Sequence, residues 1–109
     1  MARISGDFEE LVILAILKLG NDTYSVPLRE LLEEAAGRTV SVGALFVTLD
    51  RLVQKGYLET RNSEPTGEQG GRAKRYFSVT GTGQEALKEL HKPRVKLGGL
   101  NLGHAGGGA

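Results

Sequence analysis

The side chains in this sequence that are best suited to chemistry are basic, and four of them surround one predicted hairpin. Arg61 precedes a run of turn-forming residues, and Arg72, Lys74 and Arg75 follow it. Four cations around a single loop favour binding to phosphate groups. The adjacent pair Gly70-Gly71 allows the backbone to approach a partner closely. We therefore expect these residues to hold a phosphate backbone, with a solvated charged edge as the alternative.

Two further cations, Arg51 and Lys55, lie in the last turn of a predicted helix. Cations at this position are favourable on any helix, because they offset the negative end of the helix dipole. A direct phosphate contact and a purely helical role therefore both stay open for these two residues.

The sequence lacks the residue patterns of an enzyme. It contains no cysteine and two separated histidines, His91 and His104. It shows no glycine-rich phosphate loop, no nucleophile with a nearby base and no metal-ligand spacing, so we expect no catalysis, no metal and no cofactor. The lack of cysteine fits a reducing compartment and predicts a cytoplasmic protein.

Length and charge place the chain among small globular proteins of one domain. It has 109 residues, of which 25% are charged. Its longest apolar run, residues 11–17, is far shorter than the about 20 residues that span a membrane, so we expect no membrane segment. The first 50 residues carry four basic and eight acidic residues, and the rest carry ten basic and five acidic ones. Positive charge is thus concentrated in the half that holds the hairpin.

The first predicted helix is apolar on two faces. Asp7 is expected to cap it, with Glu10 as the capping-box partner. One apolar stripe at helical spacing faces the core: Phe8, Leu11, Val12, Ala15, Ile16 and Leu19. The second face holds Ile13, Leu14 and Leu17. A helix that is apolar all round is usually buried all round, so we expect this second face to pack against another chain.

Two more helices are predicted before the hairpin. The second runs from about Ser25, its expected cap, to Ala36, with Pro27 in the first turn, where its missing N–H costs nothing. The third is capped by Ser41 and closed by Gly56. Its apolar stripe holds Val42, Leu45, Phe46, Leu49, Leu52 and Val53. The side chains on its outer face are small in the first turns and basic in the last turn.

The hairpin and a fourth helix follow. The strands are predicted at Tyr57–Arg61 and Arg72–Val79, on either side of a segment rich in turn-forming residues. The fourth helix is expected to begin near Thr80 or Thr82. Pro93 should end it or kink it.

Three helices, a hairpin and a fourth helix predict a mainly α (α+β) fold, the winged helix-turn-helix. The domain is expected over residues 1–92, followed by a glycine-rich, flexible tail over residues 93–109. In this fold a helix about 10–12 Å across enters the DNA major groove, which is about 12 Å wide. The hairpin, or wing, then follows the phosphates. The pattern therefore predicts binding to double-stranded DNA.

The residues expected in the groove come from the outer face of the third helix. They are Ser41, Ala44, Val47, Thr48 and Arg51. The expected phosphate contacts are Lys55, Arg61, Arg72, Lys74 and Arg75. Small side chains allow close approach, and Val47 can touch a thymine methyl group. Glycine inside a helix costs about 1 kcal/mol relative to alanine, so Gly43 indicates a close approach to DNA or to the second helix.

Two segments resemble the PadR family of transcriptional regulators. They are SVGALFVTLDRLVQKGYLE at Ser41–Glu59 and GGRAKRYFSVTGTG at Gly70–Gly83. The early LVILAIL and the later Tyr24-Ser25 agree as well, so the resemblance covers roughly residues 7–90. It implies a homodimeric repressor whose third helix reads the major groove. The operator is then expected to be a near-palindrome.

The resemblance also implies dimer contacts through the first helix and a C-terminal helix. The interface residues that the resemblance implies are Glu10, Ile13, Leu14, Leu17, Leu87 and Leu90.

Two positions depart from the family pattern, which usually has tyrosine at the position of Phe46 and commonly proline at the position of Val47. Phenylalanine offers no hydroxyl to a phosphate. Many members also have a long C-terminal helix, which Pro93 and the tail are expected to shorten here, so dimerisation would depend more on the first helix.

Two other interpretations stay open. A winged helix can bind a protein without binding DNA, because fold does not fix function. The net charge of +1 favours that alternative and the basic hairpin argues against it. A small-molecule effector of unknown identity also stays open, and a site between subunits near Ile13, Leu14 and Leu17 suits it better than an aromatic cavity inside one subunit.

Overall fold

Three helices, a two-stranded hairpin and a fourth helix follow one another along the chain, as the sequence predicts. The structure, a computed structural model, describes residues 3–63 and 74–99. The elements are α1 (Gly6–Lys18), α2 (Ser25–Ala36), α3 (Val42–Gln54), β1 (Leu58–Asn62), β2 (Arg75–Val79) and α4 (Gly81–Lys96). The strands are antiparallel, with Leu58 opposite Val79 and Asn62 opposite Arg75. This is the mainly α, winged helix-turn-helix architecture.

Helices α2 and α3 begin and end close to where local signals predict. The hydroxyl of Ser41 accepts a hydrogen bond from the N–H of Ala44 at 3.0 Å, which confirms Ser41 as the cap of α3. Gly56 follows with φ at 79°, a left-handed conformation that glycine adopts easily. The bounds of α2 are those predicted, but Tyr24 holds its N-cap position. The prediction of Ser25 as a cap is therefore wrong, since Ser25 is already helical.

Helix α1 starts differently from the prediction. It begins at Gly6, and Ser5 holds the N-cap position. The carboxylate of Glu9, and not that of Glu10, accepts the N–H of Ser5 at 2.7 Å. The predicted capping box of Asp7 and Glu10 is wrong, because Asp7 lies inside the helix and Glu9 turns back to its start.

The hydrophobic core lies between the first three helices and the hairpin. Its almost fully buried side chains are Val12, Ile13, Ile16, Leu28, Leu32, Leu45, Leu49, Leu52 and Phe77. The structure corrects the interface prediction for Ile13, which is 0% exposed within a single chain. The core covers a wider part of α1 than one stripe, because the hairpin packs on the helix beside α2 and α3.

The base of the hairpin is tied to the loop between α1 and α2. Thr23 and Phe77 exchange two backbone hydrogen bonds, at 2.7 and 3.2 Å, and form a short antiparallel bridge. The side-chain amide of Asn21 accepts the N–H of Val79 at 2.6 Å and donates to its carbonyl at 3.3 Å. These contacts fix where the wing leaves the helical body.

Helix α4 is longer than the sequence predicts. Its cap is Thr80, one of the two predicted starts, whose hydroxyl accepts the N–H of Gly83 at 3.0 Å and donates to the carbonyl of Gly56 at 2.7 Å. The helix runs through Pro93 to Lys96, so Pro93 does not end it. One proline removes a single backbone donor, and the turns on both sides remain helical. Of the predicted tail, residues 100–109 lie outside the described residues.

Candidate nucleic-acid interface

The outer face of α3 presents a strip of four exposed residues. At about 100° per residue, Gly43, Val47, Asp50 and Gln54 lie within one narrow arc, and all four are exposed. We call these four residues the outer strip. The opposite arc belongs to the core. A helix exposed along one whole side has the shape that a major groove accepts. Asp50 was not among the outer-face residues expected from the sequence pattern.

Four of the five predicted groove residues are exposed: Ser41, Ala44, Val47 and Arg51. Thr48 is the exception, because only 6% of it is exposed. The structure therefore corrects its assignment to the groove. Thr48 follows Leu45 by three residues and precedes Leu52 by four, which puts it in the middle of the buried face. That spacing was available in the sequence, but the polar side chain suggested the outside.

A buried carboxylate holds the two cations at the end of α3. Glu9 of α1 is 1% exposed, and its oxygens lie 2.8 and 3.2 Å from the Lys55 ammonium and 3.4 Å from Arg51. The Lys55 ammonium also donates to the carbonyl of Arg3 at 2.7 Å and to the hydroxyl of Ser5 at 3.2 Å. Lys55 thus joins α3 to α1, a role the sequence analysis missed, and its phosphate contact stays a prediction.

Glu9 is ionised in spite of its burial. Burial raises the pKa of a carboxyl group, since it penalises the charged form. For Glu9 this effect is outweighed by hydrogen bonds from Lys55, Ser5 and Arg51 and by the charge of Lys55, so that its pKa lies below the ordinary value. The start of α1 and the end of α3 are therefore joined by a charged contact at neutral pH.

Two cations of the hairpin are paired with carboxylates of the helical body. Arg75 lies 2.9 Å from Asp50 of the outer strip. Arg61 lies 2.7 Å from Asp22, in the loop before α2, and the hydrogen bond to Asp22 raises the pKa of Arg61. Both pairs are open to solvent, where such pairs contribute little to stability. Phosphates can therefore compete for these cations.

A stack of rings and cations covers the outside of the hairpin base. The Lys74 ammonium lies 4.5 Å from the ring centre of Tyr24. That ring lies 5.3 Å from the ring of Tyr76, and the guanidinium of Arg61 lies 4.4 Å from the ring centre of Tyr76. Exposed cation–π contacts contribute about 0.5–1 kcal/mol each. The stack positions Lys74 and Arg61 on one face of the wing.

The leucines predicted for a dimer interface differ in exposure. Leu14 of α1 is 37% exposed. Leu87 of α4 is 8% exposed and belongs to the core, so the structure corrects its interface prediction as it does for Ile13. Leu17 and Leu90 are half-buried. Leu14 is therefore the member of the set with most apolar surface left for a second chain.

Glu10, the remaining interface candidate, is hydrogen-bonded to the ring of His91. This contact joins α1 to α4, so His91 is not isolated once the chain is folded. Four other residues named from the sequence lie outside the described residues: Gly70, Gly71, Arg72 and His104. Within residues 3–63 and 74–99, no group of three or more histidine, aspartate or glutamate side chains could hold a metal ion. No helix in that part of the chain is long and apolar enough to cross a membrane.

Comparison with known proteins links this architecture to a family. The chain matches the transcriptional regulator PadR-like family over residues 13–89. A solved PadR-like transcription factor from Bacteroides fragilis is 26% identical, with 90% of this chain and 88% of that chain covered and a TM-score of 0.70. No curated protein is significantly similar in sequence.

Two further solved structures share the fold at lower identity. A PadR family transcription regulator from hypervirulent Clostridium difficile is 18% identical, with 91% of this chain and 99% of that chain covered and a TM-score of 0.66. A winged-helix DNA-binding protein from STIV is also 18% identical, with coverages of 76% and 82% and a TM-score of 0.61. The family match extends from α1 into α4 and so includes α3 and both strands of the wing. The protein belongs to the PadR-like family of transcriptional regulators.

Proposed function

We propose that this protein binds specific sites on double-stranded DNA as a homodimer and represses transcription from them. The observation that carries the proposal is the 2.9 Å contact between Asp50 of the outer strip and Arg75 of the wing. Through it, the exposed side of α3 contacts Arg75, a cation of the hairpin. The outer strip enters the major groove, and the cations hold phosphates beside it.

The family supports the regulatory part of this proposal, and α1 supports the dimer. Leu14 leaves an apolar side chain open on a helix whose other large side chains are mostly buried. Two copies paired through α1 and α4 would present two reading helices about 34–36 Å apart, so the operator would be a near-palindrome. The protein would act in the cytoplasm, without a cofactor and without catalysis.

The experiment is binding of the full chain to random duplex DNA at several salt concentrations, with the oligomeric state followed by sedimentation. We expect a dimer whose affinity falls steeply with salt, because each neutralised phosphate releases bound counterions. Selection from a random pool should then return a near-palindromic site. Absence of binding even at low salt would contradict the proposal.

A module that binds a protein partner is the second candidate. It is favoured by the pairing of cations within the chain, since Arg51, Lys55, Arg61 and Arg75 each contact a carboxylate. Paired cations attract phosphates less than free ones do. A weak salt dependence of DNA binding, together with a folded protein, would support this candidate over the first.

A small-molecule effector of unknown identity is also part of the proposal. A groove of about 560 Å³ lies between the segment before α1 and helix α4, and Ile4, Tyr57, Leu90 and Pro93 are among its lining residues. An effector in this groove would touch α4, which belongs to the proposed dimer face. Its binding should therefore change the dimer dissociation constant, and sedimentation with and without candidate compounds measures that change.

A further inference from the structure

The first half of α3 exposes apolar side chains where a DNA-reading helix usually carries polar ones. Val42 is 50% exposed and Val47 is 58% exposed. Gly43, Ala44 and Phe46, which lie between them, offer no hydrogen-bonding side chain either. The N-cap Ser41 carries a hydroxyl, which accepts the N–H of Ala44, and within the helix the exposed hydrogen-bonding side chains begin at Asp50.

Two polar side chains of the second half are already engaged, whereas Gln54 of the outer strip is exposed. Asp50 is paired with Arg75 at 2.9 Å, and Arg51 lies 3.4 Å from the buried carboxylate of Glu9. Bidentate recognition of guanine by arginine, or of adenine by asparagine or glutamine, requires side chains free to reach the base edge. Because the first half of α3 exposes mainly apolar side chains, its recognition of base pairs must depend on apolar contact.

The DNA major groove offers one apolar group for such contact, the C5 methyl group of thymine. Val42 and Val47 are five residues apart, which at about 1.5 Å per residue gives about 7.5 Å along the helix. That length is comparable to two base-pair steps of about 3.4 Å. The two side chains can therefore meet methyl groups of thymines that are close neighbours in one half-site.

Gly43 leaves room for this approach. It lies between the two valines on the exposed arc of α3. Its φ is not positive, and a Cβ atom added to it would meet nothing within 4 Å. The fold therefore does not require glycine here. A missing side chain between two exposed valines instead lets the helix backbone come closer to the groove floor.

We infer that Val42 and Val47 read thymine methyl groups in the major groove, so that each operator half-site carries thymines at the positions they face. The inference rests on the proposed DNA binding and adds the chemistry of its sequence preference. Its occupant is thymine, as opposed to a hydrophobic protein partner, because Val47 lies on the outer strip, which contacts the hairpin cation Arg75 through Asp50.

The test replaces thymine by deoxyuridine, which removes only the C5 methyl group. A duplex selected with the full chain from a random pool is substituted at one thymine at a time. We expect binding to weaken about fourfold at the thymines that face the valines, the effect of one buried methyl group. Thymines elsewhere in the duplex should tolerate the change.

The valine variants assign each effect to a side chain. Val47→Ala should remove the preference for thymine over deoxyuridine at one position of the half-site, and Val42→Ala at another. Val95→Ala, on α4, is the matched control, since Val95 is a valine of similar exposure, at 55%. It should leave the preference unchanged at every position.

The possible outcomes separate this inference from the proposed function. Salt-dependent binding with equal affinity for thymine and deoxyuridine at all positions would overturn the inference and keep the DNA-binding proposal. A preference that persists in both valine variants would also overturn it, because other residues would then read the methyl groups. Absence of any DNA binding would overturn both, and would leave the valines as a surface for a protein.

Discussion

At the scale of residues, carboxylates of the protein itself pair with two cations of the hairpin that we propose as phosphate contacts. Asp50 and Asp22 hold Arg75 and Arg61 at 2.9 and 2.7 Å. The partners are 25 and 39 residues apart, so no local spacing could indicate these pairs. The sequence predicted a cluster of phosphate contacts, which stays a prediction, and it could not show that carboxylates already pair with Arg61 and Arg75.

Removal of one competitor should strengthen DNA binding. In Asp50→Asn the outer strip loses a negative charge and Arg75 becomes available to a phosphate, so we expect affinity to rise several-fold at low salt, with a steeper salt dependence. Stability should change by less than about 1 kcal/mol, since the pair is exposed. Titration of a labelled duplex measures the effect. Glu34→Gln, an exposed neutralisation on α2, controls for net charge, and an equal gain in both variants would refute the role of Asp50.

The buried Glu9 carboxylate should make stability depend on acid pH. Because its pKa is lowered in the folded chain, its contribution is present above the ordinary carboxyl pKa and is lost as pH falls through the lowered value. Glu9→Gln should cost about 2 kcal/mol at pH 7, the scale of hydrogen bonds to a charged group. Urea unfolding from pH 7 to pH 3 should show the two proteins converging in acid. A constant difference over that range would argue against an ionised Glu9.

At the scale of elements, the sequence predicted what depends on local signals. The bounds of α2 and the cap of α3 agree with the prediction, because an apolar period and a serine hydroxyl act within one or two turns. The errors arise where a contact between residues far apart in the sequence determines where a helix begins or ends. Glu9 is drawn to the start of α1 by Lys55 on α3, and α4 continues through Pro93, which proline statistics alone do not indicate.

Gly43 offers a test at the level of one helix. Gly43→Ala should stabilise the protein by about 0.5–1 kcal/mol, because alanine is the better helix former and its Cβ meets nothing within 4 Å. The same methyl group should keep α3 further from the groove and weaken DNA binding. Gly81→Ala is a matched control, since Gly81 lies at the start of α4 with equally open surroundings. Denaturation measures the free energy of unfolding of both variants, and titration measures their affinity for DNA. Equal DNA affinity in the two variants would count against a close approach of DNA at Gly43.

At the scale of the whole molecule, the loop between α1 and α2 joins the wing to the helices. Asn21 adopts a left-handed conformation with φ at 58° and binds both backbone groups of Val79. Thr23 adds its bridge to Phe77. Asn21 and Val79 are 58 residues apart, so the sequence showed a turn at Gly20-Asn21-Asp22 without showing that the turn carries the wing.

Replacement of Asn21 should loosen the wing from the body. Asn21→Ala loses two hydrogen bonds and places alanine at positive φ, so we expect a loss of about 2–3 kcal/mol in the free energy of unfolding. Asn21→Gly relieves the backbone strain and should lose about 1 kcal/mol less. Hydrogen exchange at the Val79 amide, measured alongside urea unfolding, reports the local opening. Protection at Val79 that equals the wild type in both variants would show that Thr23 and Phe77 hold the wing alone.

The first turn of α1 has a consequence for communication between sites. Two adjacent side chains point to different elements, with Glu9 bound to Lys55 of α3 and Glu10 bound to His91 of α4. A rearrangement of α4, whether caused by a second subunit or by a ligand in the groove beside it, would therefore be transmitted to α3 through the adjacent residues Glu9 and Glu10. Any such coupling is reciprocal in free energy, so DNA would change the affinity of the α4 surface for its partner by the same factor.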